Sequence, residues 1–170
     1  MGAEILEKRV NRILRNELKT VYKARADLQP LVGLKQIDQI SLDNLYLQKF
    51  ILLALIEQGI STELFMSIVE ATGFTLKDWS HVTNIPYRTI QRYAKEQKLL
   101  KPIFTEKVFE FSEVLKRGKE VFGSASKFEG WLTSTKYIFG NKKPLELLSS
   151  SIGKGMVMKE LNRIDHGLFA

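Results

Sequence analysis

His81 and His166 are the only imidazoles in a chain that has no cysteine, and neither lies near a nucleophile on a recognisable turn. Asp165 adjoins His166, but neighbours along a helix do not face one another, so this pair makes no acid–base couple. Ile152-Gly153-Lys154-Gly155 suggests a phosphate loop. Leu148 stands where that loop needs its first glycine, however, and Gly155 where it needs Ser or Thr. The residues whose spacing does suit chemistry are cations. Between Asn84 and Lys101 the chain places Arg88, Arg92, Lys95, Lys98 and Lys101 against the single acid Glu96. Tyr87, Arg88, Gln91, Arg92 and Lys95 fall on roughly one face of a helix. Arg and Gln near the start of such a helix can bond guanine and adenine edges in a major groove, while Arg92, Lys95 and Lys98 suit phosphates.

The elements around these cations decide whether the pattern means anything, because charge alone favours a solvated basic face on a core helix. Thr75 and Asp78 have the spacing of a capping box and start one short helix, Thr75 to Val82. Asn84 is placed for a left-handed turn, and Pro86 fixes the start of a second helix, Tyr87 to Lys95. Ile85 and Ile90 would plug the core beneath the turn, and small Ser80 would allow a close crossing. This turn chemistry favours a helix-turn-helix over a plain basic helix.

No stretch of useful length alternates with a two-residue period, so the chain is expected to be all-α. Glu4 to Ala26 predicts an amphipathic helix with Leu6, Val10, Ile13, Leu14, Leu18, Val21 and Tyr22 on one stripe. That stripe needs a partner, which a second copy of the chain would supply. Asp27 to Ile40, with Pro30 and Gly33, reads as a linker. Ser41 precedes a helix running through Leu45, Tyr46, Lys49, Phe50, Leu53 and Ile56 to Gly59, apolar nearly all round and so expected in the core. Further helices are predicted after Ser61, from Phe104 to Phe122, through Phe128 to Leu132, from Pro144, and from Ile152 to Asp165. Gly153 and Gly155 within the last of these each cost about 1 kcal/mol relative to Ala, which predicts a close backbone approach. The expected domains are 1–40, an N-terminal helix and linker; 41–123, containing the helix-turn-helix; and 124–170.

A net charge of +7 over 170 residues favours a polyanionic partner. The longest apolar run, Phe50 to Ile56, is far short of a bilayer span, and the start of the chain lacks the pattern of a secretory signal, so a cytoplasmic protein without a membrane partner is expected. No cofactor or metal is expected, nor catalysis of its own. The ending Arg163-Ile164-Asp165-His166-Gly167-Leu168-Phe169-Ala170 is unusual, because a helix, a glycine and two bulky apolar groups follow one another where chains commonly fray into polar residues. Val157, Leu161, Ile164 and Leu168 follow at helical intervals. Spacing alone leaves two readings, a tail covering its own core or one offered to another molecule.

From Phe122 onward the chain resembles the C-terminal toxin-binding domain of Xre/MbcA/ParS-type antitoxins. The resemblance rests on Phe122-Gly123, Trp131-Leu132, Gly140 with Pro144-Leu145, Gly153 with Val157 and Leu161, and the ending from Arg163 to Ala170. Ile85, Thr89, Ile90 and Arg92 fit the family's DNA-binding half more loosely. Asn141 replaces a second glycine, the proline usual after Trp131-Leu132 is missing, and the N-terminal helix has no counterpart. The resemblance implies a helix-turn-helix DNA-binding domain followed by a small helical toxin-binding domain, and an antitoxin of a type II toxin–antitoxin system. It implies a RES-domain, NAD-consuming toxin as one partner and operator DNA as the other, met as a homodimer or within a hetero-oligomeric toxin–antitoxin complex. Tyr87, Arg88, Thr89, Gln91, Arg92, Lys95 and Lys98 would then meet DNA. Trp131, Asn141, Lys142, Arg163, His166, Gly167, Leu168, Phe169 and Ala170 would meet the toxin, with the tail and its carboxylate filling the active site. The alternative, from another class, is a stand-alone helix-turn-helix transcriptional regulator with a C-terminal dimerisation domain.

Overall fold

The computed structural model describes residues 2–167. Of the described residues 74% are helical, and among them there is no strand, only the isolated bridges Ser61 with Leu99 and Lys136 with Lys142. The helices are α1 (Gly2–Ala24), α2 (Leu34–Ile37), α3 (Lys49–Gln58), α4 (Thr62–Thr72), α5 (Leu76–Thr83), α6 (Tyr87–Lys95), α7 (Pro102–Phe122), α8 (Ala125–Thr133), α9 (Pro144–Leu147) and α10 (Ser151–Asp165). They gather into two compact units that interleave along the chain. The first comprises residues 1–74 and 87–106, and the second residues 75–86 and 107–170.

In the first unit α1 packs along α4 and α3. Val10, Leu14, Leu18 and Val21 are almost fully buried there, and burying one such side chain contributes roughly 1.5–3 kcal/mol. The stripe therefore finds its partner within its own unit, so the expected dimer contact through α1 is corrected. Asp27 to Ile40 is also no free linker. Pro30 and Gly33 interrupt the helix but not the packing, since Leu28, Val32, Ile37 and Ile40 are all buried and short helices span Ala26–Leu28 and Leu34–Ile37. The Arg15 guanidinium donates to the Ile40 carbonyl at 2.7 Å, and Asn11 accepts from the Leu42 N–H at 2.8 Å, holding the segment on α1.

The next helix is shorter than the sequence suggests. Gln48, at φ −104° and ψ 63°, separates a single turn at Leu45–Leu47 from α3. Only one side of α3 is core: Ile51, Ala54 and Leu55 are buried, whereas Phe50 and Leu53 are exposed, which corrects the expectation of an all-round core helix. Beyond Gly59 the Leu100 N–H donates to the Ile60 carbonyl at 2.8 Å, tying the end of α3 to the segment that follows α6.

The second unit is built on α7. Trp79 of α5 is fully buried, with its ring edge-on to Phe111 at 4.7 Å. Phe128 of α8 lies so close to α7 that a methyl group at Gly118 would overlap its ring. Val157 and Leu161 of α10 are fully buried, while Gly153 faces the Leu147 carbonyl with no room for a Cβ. Gly155 has open space around it, so only one of the two helix glycines has the close approach expected of both.

Candidate functional site

The turn before α6 is assembled largely as its residues dictate. The Asp78 N–H donates to the Thr75 hydroxyl at 3.2 Å, and the Asp78 carboxylate accepts from the Thr75 N–H at 3.0 Å, completing the capping box. Asn84 ends α5 in the left-handed region at φ 55°, where Asn is better tolerated than most residues. Ile85 and Ile90 are buried. Ser80 acts through a bond as well as through its size, its hydroxyl donating to the Ile85 carbonyl at 2.6 Å. The Asn84 amide also donates to the Ser149 carbonyl at 3.0 Å, a link across 65 positions that no local pattern announces. His81 is exposed, and no group of three His, Asp or Glu able to hold a metal occurs among the described residues.

α6 divides cleanly into two sides. Ile90 and Tyr93 are buried, on the side that packs against α4, whereas Tyr87, Arg88, Gln91, Arg92 and Lys95 are all exposed and Thr89 is half-buried. The Arg92 guanidinium lies 5.6 Å from the Tyr93 ring centre, a cation–π distance that keeps its charge close to the helix surface. Lys98 is less free, because its ammonium sits 2.6 Å from Glu96. The same lysine, helped by the charge of Arg92, holds the Glu96 carboxyl below its ordinary range. The outward face is therefore a cluster of cations and amide groups with one acid at its far end. That composition suits hydrogen bonds to base edges near the start of the helix and to phosphates further along.

In the second unit Trp131 is half-buried inside an aromatic group. Its ring stacks on Phe128 at 5.8 Å, lies 5.6 Å from Phe122, and meets Phe139 edge-on at 6.2 Å, while the Lys136 ammonium sits 5.9 Å from its centre. The next loop closes through the Lys136 N–H, which donates to the Lys142 carbonyl at 3.1 Å. Gly140 and Asn141 both take left-handed angles there, φ 65° and 60°, so Asn141 does adopt the conformation that a second glycine would. The Asn141 and Lys142 side chains are exposed.

The end of α10 is held by a residue that sequence reasoning missed. The Arg117 guanidinium donates to Asn162 at 3.0 and 3.1 Å and to Asp165 at 2.7 Å, pinning the last turn of α10 to α7. Asn162 and Asp165, three apart on a helix, offer a cation two adjacent acceptors, but the partner lies 45 positions away and leaves no local signal. Arg163 forms a fork with Glu160 on its own helix, at 2.9 and 2.7 Å. That pairing raises the Arg163 pKa further and gives the buried Glu160 carboxylate its counter-charge. His166 is exposed, and Gly167 turns left-handed at φ 68°. Leu168, Phe169 and Ala170 lie outside the described residues. The two sets of predicted residues thus fall in different units, the DNA-facing set on α6 in the first and the toxin-facing set in the second.

Residues 51–112 match the antitoxin Xre-like helix-turn-helix domain, and residues 117–167 match the antitoxin Xre/MbcA/ParS C-terminal toxin-binding domain. The chain belongs to the Xre/MbcA/ParS-type antitoxins, with a helix-turn-helix domain followed by a toxin-binding domain. Among curated proteins none matches it. No helix among the described residues is long and apolar enough to cross a membrane.

Proposed function

We propose that the chain neutralises a RES-domain, NAD-consuming toxin of a type II system by placing the segment that follows α10 in the toxin's active site. On this reading it acts in the cytoplasm, by binding and not by catalysis. The observation that carries the proposal is the anchored end of α10. Arg117 fixes the last turn, and the left-handed Gly167 follows it with His166 exposed beside it. A rigid base of this kind reduces the ordering entropy that a binding segment would otherwise lose on docking. Trp131, Asn141, Lys142 and Arg163 would then frame the contact, with Leu168 and Phe169 as apolar anchors in the pocket. The test is to co-express a RES-domain protein encoded beside this chain's gene with a chain lacking Gly167 to Ala170. Loss of protection is expected, and full protection would contradict the plug.

The second role proposed is autorepression, in which the exposed face of α6 binds the operator of the chain's own operon. Arg88 and Gln91 would contact bases, and Arg92, Lys95 and Lys98 phosphates, either in a homodimer or within the toxin–antitoxin complex. Two reading helices related by a twofold axis require half-sites about 34 Å apart. Replacing Arg88 and Arg92 by Ala should weaken operator binding by roughly 2–6 kcal/mol, taking about 1–3 kcal/mol per lost contact, with neutralisation unchanged. Loss of both activities together would point to misfolding and remove the assignment.

A further inference from the structure

Gly155 is a glycine that its own chain does not need. It stands inside α10, is exposed, does not take a left-handed angle, and has nothing within 4 Å of the place a Cβ would occupy. Glycine is a poor helix residue, so the position carries a cost that nothing inside the molecule offsets. Gly153 differs, because the Leu147 carbonyl leaves it no room for a side chain. Gly130 of α8 is also open, but it lies in the last turn of its helix, beside exposed and polar Lys127 and Thr133.

The surroundings of Gly155 are apolar. Ile152 is 82% and Met156 43% exposed, one on each side of the missing side chain. Lys159, Arg163 and His166 continue the same line at helical intervals, opposite the buried Gly153, Val157 and Leu161. The flank between these two sides is turned to α7, through Lys154 on Glu113 at 2.7 Å and Arg117 on Asn162 and Asp165. The outward stripe thus has an apolar half, notched at Gly155, and a cationic half that runs into Gly167. It contains no acid. Arg163 is already matched by Glu160, whereas exposed Lys159 makes no ion pair among the described residues.

We infer that this stripe docks on the toxin, with the notch at Gly155 receiving an apolar ridge and Lys159 meeting a carboxylate beyond it. A ridge seated in a groove that lacks a side chain brings two backbones closer than any other residue would allow, which gives Gly155 its use. Charge and polarity select the occupant. A second copy laid on the stripe would set cations against cations, and nucleic acid has no counterpart for Ile152 and Met156. The whole stripe lies within residues 117–167, which match a toxin-binding domain, and it ends at the base of the proposed plug. The inference rests on the toxin-binding reading of those residues and not on the tail entering an active site.

Calorimetric titration of the full chain with the purified RES-domain protein encoded beside its gene tests this. Gly155→Leu should weaken binding by about 10- to 100-fold, and Gly155→Ala by about threefold to tenfold. Both variants should melt at or above the parent temperature, since each residue favours a helix more than glycine does. A gain in stability joined to a loss in affinity is a result that a merely structural role cannot give. Ile152→Asp should cost about tenfold or more, in a first helical turn that tolerates an acid. Lys159→Glu should cost about tenfold, shrinking as salt is raised. If Gly155→Leu aggregates, Gly155→Gln carries the same test. A parent chain that binds while Gly155→Leu and Ile152→Asp bind equally well overturns this inference alone. A parent chain that does not bind removes the toxin reading and the inference with it. A change in the sedimentation mass of the chain alone on Gly155→Leu makes the occupant a second copy, and also overturns it.

Discussion

Glu17 shows how much chemistry a single side chain can hold outside any functional role. It projects from α1 toward the start of α4, where its carboxylate accepts from the Ser61 N–H at 3.3 Å and from the Ser61 hydroxyl. Burial raises its pKa, the bonds from Ser61 pull it back, and the charge of Glu63 adds a smaller upward push. A carboxyl whose folded pKa lies above its unfolded value contributes stability at pH below the unfolded value, and this is lost as pH rises through the folded one. At neutral pH the charged form is therefore a net cost. Glu17→Gln keeps an acceptor for Ser61 and removes the charge, so the variant should melt at a higher temperature than the parent at pH 7. Its advantage should be lost by about pH 3, below the ordinary range of a glutamate, where Glu17 is neutral in the folded and the unfolded chain. Thermal scans at the two pH values check this; an equal shift at both would exclude burial of the charge as the cause.

The two glycines of α10 make the corresponding test at the level of an element. Gly153 lies against the Leu147 carbonyl, a backbone group that cannot swing aside, so Gly153→Ala should destabilise by about 1–3 kcal/mol. Gly155 has nothing within 4 Å of the place an added methyl group would take and lies in the helix interior, so Gly155→Ala should stabilise by about 0.5–1 kcal/mol. Urea unfolding of the two variants should shift in opposite directions, and a shared direction would contradict the packing described for α9 and α10. The sequence alone could not separate these glycines, because a helix glycine records a conformational cost and not which neighbour requires it. The capping box at Thr75, the left-handed Asn84 and the two faces of α6 were legible because each depends on residues within a turn or two. The folded segment from Asp27 to Ile40 was obscured by Pro30 and Gly33, which interrupt the helical period while Leu28, Val32, Ile37 and Ile40 still reach the core. Arg117 was invisible because its acceptors lie far along the chain.

For the molecule as a whole, the order of the sequence and the order of packing differ. The family domains divide the chain at about residue 112–117, yet α5 belongs with the C-terminal half and α6 with the N-terminal half. Trp79 is fully buried against Phe111, and losing a buried aromatic side chain of this size costs about 3–5 kcal/mol. A fragment of residues 107–170 also forfeits Val82, Ile85 and the bond from Asn84 to Ser149. It should lack a cooperative thermal transition when followed by circular dichroism. A transition at the midpoint of the full chain would show that residues 75–86 contribute nothing to that unit.

The interleaving bears on how antitoxins of this kind can be recombined. A chimera joined between the two family domains would cut α7 inside the second unit and leave Asn84 facing a foreign replacement for the Ser149 segment. Better seams lie where the chain passes from one unit to the other, at 74/75, 86/87 and 106/107. On the proposed operator-binding reading, residues 87–106 could then be exchanged as one insert carrying α6, giving a new operator preference while the donor's toxin specificity stays behind.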